Sequence, residues 1–280
     1  MLLACSSSLF AQETETHSTL AVVQAGVQQS EDAPFVPADY AFLPGDFVYF
    51  TFQLAGFATQ SFNRNEGHKI SLKYELTPED STGVPLAEPI SDSIQDELSS
   101  QDKNWMPKRR ASFLLPSYVA AGEYRIHLVA KDVFGKSEIS KDFPFRIGGV
   151  QIQHADGVNV QHFEFLRRES DREALQIPAY SPGDTVFARF DMAGFKLATG
   201  NSYNLDYGIS VIQPNGKSFL DAPRAAELKA SSFYPAQFLP GTIEITTPPN
   251  SAKGEYVLTL TVHDHVAKTQ YQLKAPFSVE

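Results

Sequence analysis

The feature that most limits what this chain can fold into is a duplication. The stretch from Phe42 to Phe57 returns as Tyr180 to Phe195: Pro44-Gly45-Asp46 becomes Pro182-Gly183-Asp184, Val48 becomes Val186, Phe52 becomes Phe190, and Ala55-Gly56-Phe57 becomes Ala193-Gly194-Phe195. The offset is 138 residues from Pro44 to Pro182 and again from Phe57 to Phe195. A chain of 280 residues that repeats itself in this way is two units, each large enough to bury its own core. The Pro-Gly-Asp element reads as a tight turn, with Pro setting φ and Gly supplying positive φ. The residues after it alternate, so that Val186, Ala188, Phe190 and Met192 share one face of a half-buried strand. Ala193-Gly194 then breaks that strand, and Phe195 folds back into the core.

Alternation recurs along both copies. Leu20–Val27 and Val158–Phe165 read as first strands. Ile70–Leu76 pairs with Tyr203–Val211 at an offset of 133, from Leu72 to Leu205. The five residues lost from the offset fall in the loop at 63–67 of the first copy, where insertion costs little. Gly122–Asp132 matches Gly254–Asp264, and a last strand, Phe143–Ile147, matches Ala275–Val279. The segments 84–108 and 219–240 are less regular and predict short strands or a helical turn. About seven strands per copy, with no helical period, describe an all-β protein of two tandem antiparallel β-sandwich domains related by internal duplication. The expected division is a leader and lead-in over 1–19, a first domain over 20–148 and a second over 149–280. Gly148-Gly149 marks the boundary as a hinge, and the whole should be a fairly stiff, elongated rod.

A net charge of −10 and a pI near 5.2 argue against a general nucleic-acid or anionic-membrane binder. The single cysteine, Cys5, rules out an intrachain disulfide. Residues 2 to 11 read as the end of a secretory signal, which predicts an exported, periplasmic or extracellular protein. Two processing routes stand open: cleavage after Ala11, or a lipobox Leu2-Leu3-Ala4-Cys5 that attaches a lipid to Cys5 and makes an outer-surface lipoprotein. No later stretch approaches the ~20 apolar residues that span a bilayer.

The pattern Gly-Glu-Tyr-x-Leu-x-Leu-x-Val-x-Asp at Gly254–Asp264, echoed at Gly122–Asp132, resembles the penultimate strand of immunoglobulin-like, cadherin-like and fibronectin-like sandwiches of exported bacterial proteins. Tyr180-x-Pro-Gly-Asp-x-Val resembles the opening of macroglobulin-type sandwich domains. These resemblances imply an immunoglobulin-like fold and no particular activity.

Candidate chemistry is sparse. His263 and His265 alternate on a strand and could share a metal if a third ligand joined them. The Asp264 between them matches Asp132 and reads as the cap of the following turn. Asp46 and Asp184 read as turn residues bonding local amides, with calcium ligation, helped by Asp142 or Glu255, as the competing chemistry. No Gly-x-Ser-x-Gly elbow marks a nucleophile, and no cofactor is implied. Lys103, Trp105, Lys108, Arg109 and Arg110 form a basic run around the only Trp, a candidate protein-binding patch or else the solvated edge of a sheet. The expected function is a non-enzymatic scaffold, adhesion or accessory subunit of a bacterial envelope or extracellular assembly, with protein partners. The alternatives are a carbohydrate-binding module using Tyr203, Tyr234 or Trp105 as stacking platforms, and an enzyme with an unrecognised site.

Overall fold

The computed structural model describes residues 19–62, 67–99, 101–102 and 105–280. The leader reading with Cys5, most of the 63–67 insertion, and Lys103 lie outside them. The described residues form strands and loops with no helix, and so none long and apolar enough to cross a membrane.

The first unit contains β1 (Ala21–Gln28), β2 (Ala41–Phe42), β3 (Phe47–Ala55), β4 (Gln60–Phe62), β5 (Gly67–Asp80), β6 (Ile90–Ser99), β7 (Lys108–Leu114), β8 (Gly122–Asp132) and β9 (Ser137–Ile147). The second contains β10 (Asn159–Leu166), β11 (Ala179–Tyr180), β12 (Thr185–Ala193), β13 (Ser202–Ile212), β14 (Ser218–Ser231), β15 (Phe238–Thr246), β16 (Gly254–Asp264) and β17 (Thr269–Val279). In each, a three-stranded sheet packs on a larger one. These are β1-β3-β7 on a sheet containing β2-β9-β8-β5, with β4 and β6 on β5, and β10-β12-β15 on β11-β17-β16-β13-β14. All pairings are antiparallel except two-residue parallel contacts at β2/β9 and β11/β17. The irregular middles are full strands, β6 and β14, because each completes the large sheet by pairing with β5 or β13.

The alternating residues fill two cores. Val186, Ala188, Phe190 and Met192 of β12 are all buried, as are Val48, Phe50, Phe52 and Leu54 of β3. The Pro-Gly-Asp turn is built twice in the same way. Gly45 and Gly183 have φ of 85° and 94°. Asp46 N–H donates to Leu43 O at 3.0 Å and Asp184 N–H to Ser181 O at 2.9 Å. Each Asp carboxylate accepts the amide of Leu43 or Ser181 in return, at 2.8 Å. The first strands depart from simple alternation. β1 carries a register shift between Val23 and Gly26, β10 one between Gln161 and Glu164, with Gln24 and His162 at positive φ. The same bulge therefore sits 138 residues apart in both copies.

Two buried aspartates close the large sheets. Asp264 Oδ1 accepts the amides of Val266 and Ala267, and its Oδ2 accepts that of Lys196 at 2.8 Å. Asp132 does the same for Phe134, Gly135 and Ala58. Each carboxylate thus ties the last hairpin to the chain leaving the Ala-Gly-Phe break, where Gly56 and Gly194 have positive φ. At Gly194 a side chain would also collide with Gly157 O, 2.3 Å from its Cβ position.

The Gly148-Gly149 stretch is held at both ends rather than slack: Gly148 N–H donates to Phe42 O and Ala121 N–H to Val150 O, both at 2.7 Å. Beyond it the loop Ser231–Phe238 of the second unit reaches back onto the first. Tyr234, 2% exposed, is a member of the first unit's core. Its hydroxyl donates to Asp80 Oδ2 at 3.0 Å and accepts from Gln237 Nε2 at 2.9 Å. Gln237 Oε1 accepts the Ala120 amide, and its own amide donates to Tyr118 O. Burial, with Tyr124 and Asp80 alongside, pushes the Tyr234 phenol far up, so it stays a donor. Burial also pushes Asp80 up, but hydrogen bonds from Thr82, Val84 and Tyr234 outweigh it and hold the carboxyl below its usual value.

Replacing Asp264 with alanine leaves three backbone amides without their acceptor. At about 1 kcal/mol for each hydrogen bond, stability should fall by about 3 kcal/mol, measured as a lower urea midpoint at unchanged slope. A variant as stable as wild type would show that the clamp does not hold the hairpin.

Candidate functional site

The outer face of the large sheet differs between the units on β13, β14 and β16. In the first unit the β5/β6 ladder runs unbroken from Gly67 opposite Ser99 to Leu76 opposite Ile90. In the second, Tyr207 pairs with Ala226 and Ile209 with Ala222, so three residues, Pro223–Ala225, face the single Gly208. The bulge lies flat on that glycine: a Cβ at Gly208 would sit 2.4 Å from Pro223 O. Glycine is therefore required by close backbone approach, and the bulge projects Arg224 over the neighbouring Asp206.

Asp206 stands on the outer face of β13 yet is 3% exposed, because side chains from two strands cover it. His263, opposite it on β16, approaches Oδ1 through Nδ1 at 2.7 Å. His265, two residues on, approaches Oδ2 through Nε2 at 2.6 Å, and Arg224 Nε lies 3.4 Å from the same oxygen. Burial pushes Asp206 up, but the bonds to His265 and His263 outweigh it and hold the carboxyl below the ordinary aspartate value. An ionised carboxylate only accepts, so both rings donate to it, leaving His263 Nε2 and His265 Nδ1 on the sides away from Asp206. With Pro223, these four side chains line a shallow pocket of about 490 Å³.

Alternation does bring His263 and His265 to one face, and Asp206 is the third group that sequence reasoning missed. Its oxygens take one hydrogen bond from each ring. Among the described residues no group of three or more His, Cys, Asp or Glu side chains is arranged to hold a metal. The corresponding residues of the first unit, Lys73, Lys131 and Val133, form no such cluster.

The described part of the basic run, Trp105 to Arg110, does not form one patch. β7 is the edge of its sheet, and pairing with β3 places Arg109 on the side of Ala111 and Phe113 while Lys108 and Arg110 face outward. Arg110 is paired with Glu31 at 3.2 Å and Asp32 at 3.1 Å. Trp105 is 36% exposed. This is the pattern of an edge strand protected by charge, one cation facing inward. Tyr203 and Tyr234, expected as exposed stacking platforms, are buried instead, Tyr203 in the second core and Tyr234 in the first. Asp46 and Asp184 bond turn amides, as described above.

One further constellation was not legible in the sequence because β8 and β9 contribute to it jointly. His127 Nδ1 lies 2.6 Å from Asp142 Oδ1, and Ser140 Oγ lies 3.3 Å from His127 Nε2. The order matches a nucleophile, base and orienting acid. The group stands open to water, with His127 37% and Asp142 49% exposed, and Arg125 contacts the same carboxylate at 3.7 Å. Charge stabilisation in hydrolysis depends on a site that excludes water, which an open sheet face does not provide.

Folded-state depression of Asp206 fixes the sign of a pH effect. Its contribution is complete above the unfolded value near 3.8 and is lost as pH falls through the lower folded value. Wild type should therefore lose stability below about pH 4 more steeply than Asp206→Asn, read as thermal midpoints across an acid series. Parallel curves would mean that the carboxylate is not held ionised by its neighbours.

No family model matches the chain, and no curated protein does. Among solved structures it is similar to the C-terminal domain of the Streptococcus agalactiae antigen I/II polypeptide BspA. That likeness has 11% identity and a TM-score of 0.30, over 91% of this chain and 99% of that one. The C-terminal domain of the Streptococcus pyogenes antigen I/II-family protein AspA gives 9% identity and 0.30, over the same shares. A family 123 glycoside hydrolase from Clostridium perfringens gives 15% identity and 0.32, over 44% of this chain and 27% of that one. Likenesses this distant assign no function, and the immunoglobulin-like sandwich architecture stands on the sheets themselves.

Proposed function

We propose that the chain is a non-enzymatic scaffold or adhesion module of an exported bacterial assembly, made of two sandwiches that divide near residues 148 and 149 and present their surfaces and loops to protein partners. The observation that carries this reading is the junction. A module that spaces or orients partners has to hold its two halves in one arrangement, and Tyr234 of the second unit is built into the core of the first, with Gln237 bonding two backbone groups beside it. Export is read from the apolar leader, and the carbohydrate reading loses Tyr203 and Tyr234 to the cores.

A pull-down from a bacterial envelope fraction by purified full chain, analysed against Tyr234→Ala, tests the reading. Wild type should enrich a defined protein partner that the junction variant binds at least about tenfold more weakly, a loss of about 1.4 kcal/mol. Hydrolysis of ester or glycoside substrates by the purified protein, without such a partner, would overturn it.

A further inference from the structure

The pocket over Asp206 has the marks of a binding site distinct from a scaffold's contact surfaces. Its cluster of one carboxylate, two imidazoles and a guanidinium has no counterpart in the first copy, where Lys73, Lys131 and Glu138 line the matching face. It required an inserted bulge, a glycine under it and a buried charge. The carboxylate itself is not what a ligand meets, because both its oxygens are covered by donors. What faces solvent is the rim: the rest of the Arg224 guanidinium, whose side chain is 65% exposed, and the outer edges of two imidazoles.

The charges around this rim come from three strands. β14 supplies Arg224, with Glu227 opposite Asp206 and Lys229 opposite Asn204. β16 and the turn after it supply His263 and His265. β17 places the uncharged Gln270 opposite His263 and Gln272 opposite Thr261. With neutral imidazoles, Arg224 and Lys229 stand against Asp206, Glu227 and Asp221, the last opposite Ser210 on the same face. Histidine gains its charge between about pH 8 and pH 5, and two protonated rings would take the formal charge of this face from −1 to +1, with outward N–H groups beside a guanidinium. Such a rim suits an oxyanion, for which a guanidinium offers paired donors. A cation entering there would have to sit against Arg224.

We propose that Asp206, His263, His265 and Arg224 form a proton-gated oxyanion site that takes a carboxylate, sulfate or phosphate group of a small ligand as the pH falls. Asp206 acts as the positioning residue that fixes both rings, and Arg224 and the imidazoles contact the ligand.

The test uses the full chain and sulfate, whose charge is constant over the range, with acetate as a planar comparison. Ring nitrogens of His263 and His265 are followed by NMR at about pH 5.5 and about pH 8, on either side of the ordinary histidine midpoint. Saturable shifts with either anion at the lower pH, at least about tenfold weaker at the higher, and abolished in Arg224→Gln, are the expected result. Arg224 is exposed, so that variant should remain folded, and its unchanged thermal midpoint confirms it. His263→Gln with His265→Gln should remove the pH dependence. Absence of binding at both pH values, or binding indifferent to Arg224→Gln, overturns the proposal. So does zinc binding at these nitrogens that strengthens toward pH 8, which would assign the pocket to a metal ion.

Discussion

The two sandwiches share a side chain. Tyr234 leaves the second unit's sheet at the end of β14 and is buried among residues of the first, and its hydroxyl finds Asp80 there. A phenol can be buried this deeply only if its oxygen is satisfied, and here it both donates and accepts. Asp80 is itself fixed by the turn it caps, through Thr82 and Val84. The junction therefore rests on a carboxylate that the first unit has already ordered. Together with the backbone bonds at Gly148 and Ala121, it leaves the linker little freedom of its own. Burial pushes the neighbouring Tyr124 phenol up to about 12, so no proton leaves this cluster over the physiological range.

Within each unit the order of construction is the same. A turn closed by its own aspartate starts the buried strand β3 or β12, a positive-φ glycine ends it, and a second aspartate on the last hairpin catches the amide just beyond. Tyr124 and Tyr256 each donate to a carbonyl four residues upstream, at Ala120 and Ala252. These repeated elements are structural. The copies part at the bulge over Gly208 and at the loop that carries Tyr234, which is where the proposed site and the junction lie.

Much of this was legible in the sequence. Period-two alternation named the core residues of β3 and β12, and Pro-Gly-Asp named its turn, because both are local signals. The capping role of Asp264 followed from its match to Asp132. The strands β6 and β14 were expected only as short strands or a helical turn, because they are edge strands whose exposed faces carry little alternation. Nor was Asp206 connected to His263, since only the pairing of β13 with β16 brings together residues 57 apart. Tyr234 was misplaced for a related reason: an aromatic in a polar loop looks exposed until the partner surface is known.

The central claim is that the two sandwiches behave as one body because Tyr234 is held in the first core. Paired spin labels, one on each sandwich, test it most directly through their distance distribution. A single narrow distance in wild type that broadens in Tyr234→Ala, with both sandwiches still folded, is what the junction predicts. A broad distribution in wild type, unchanged by the substitution, would contradict it.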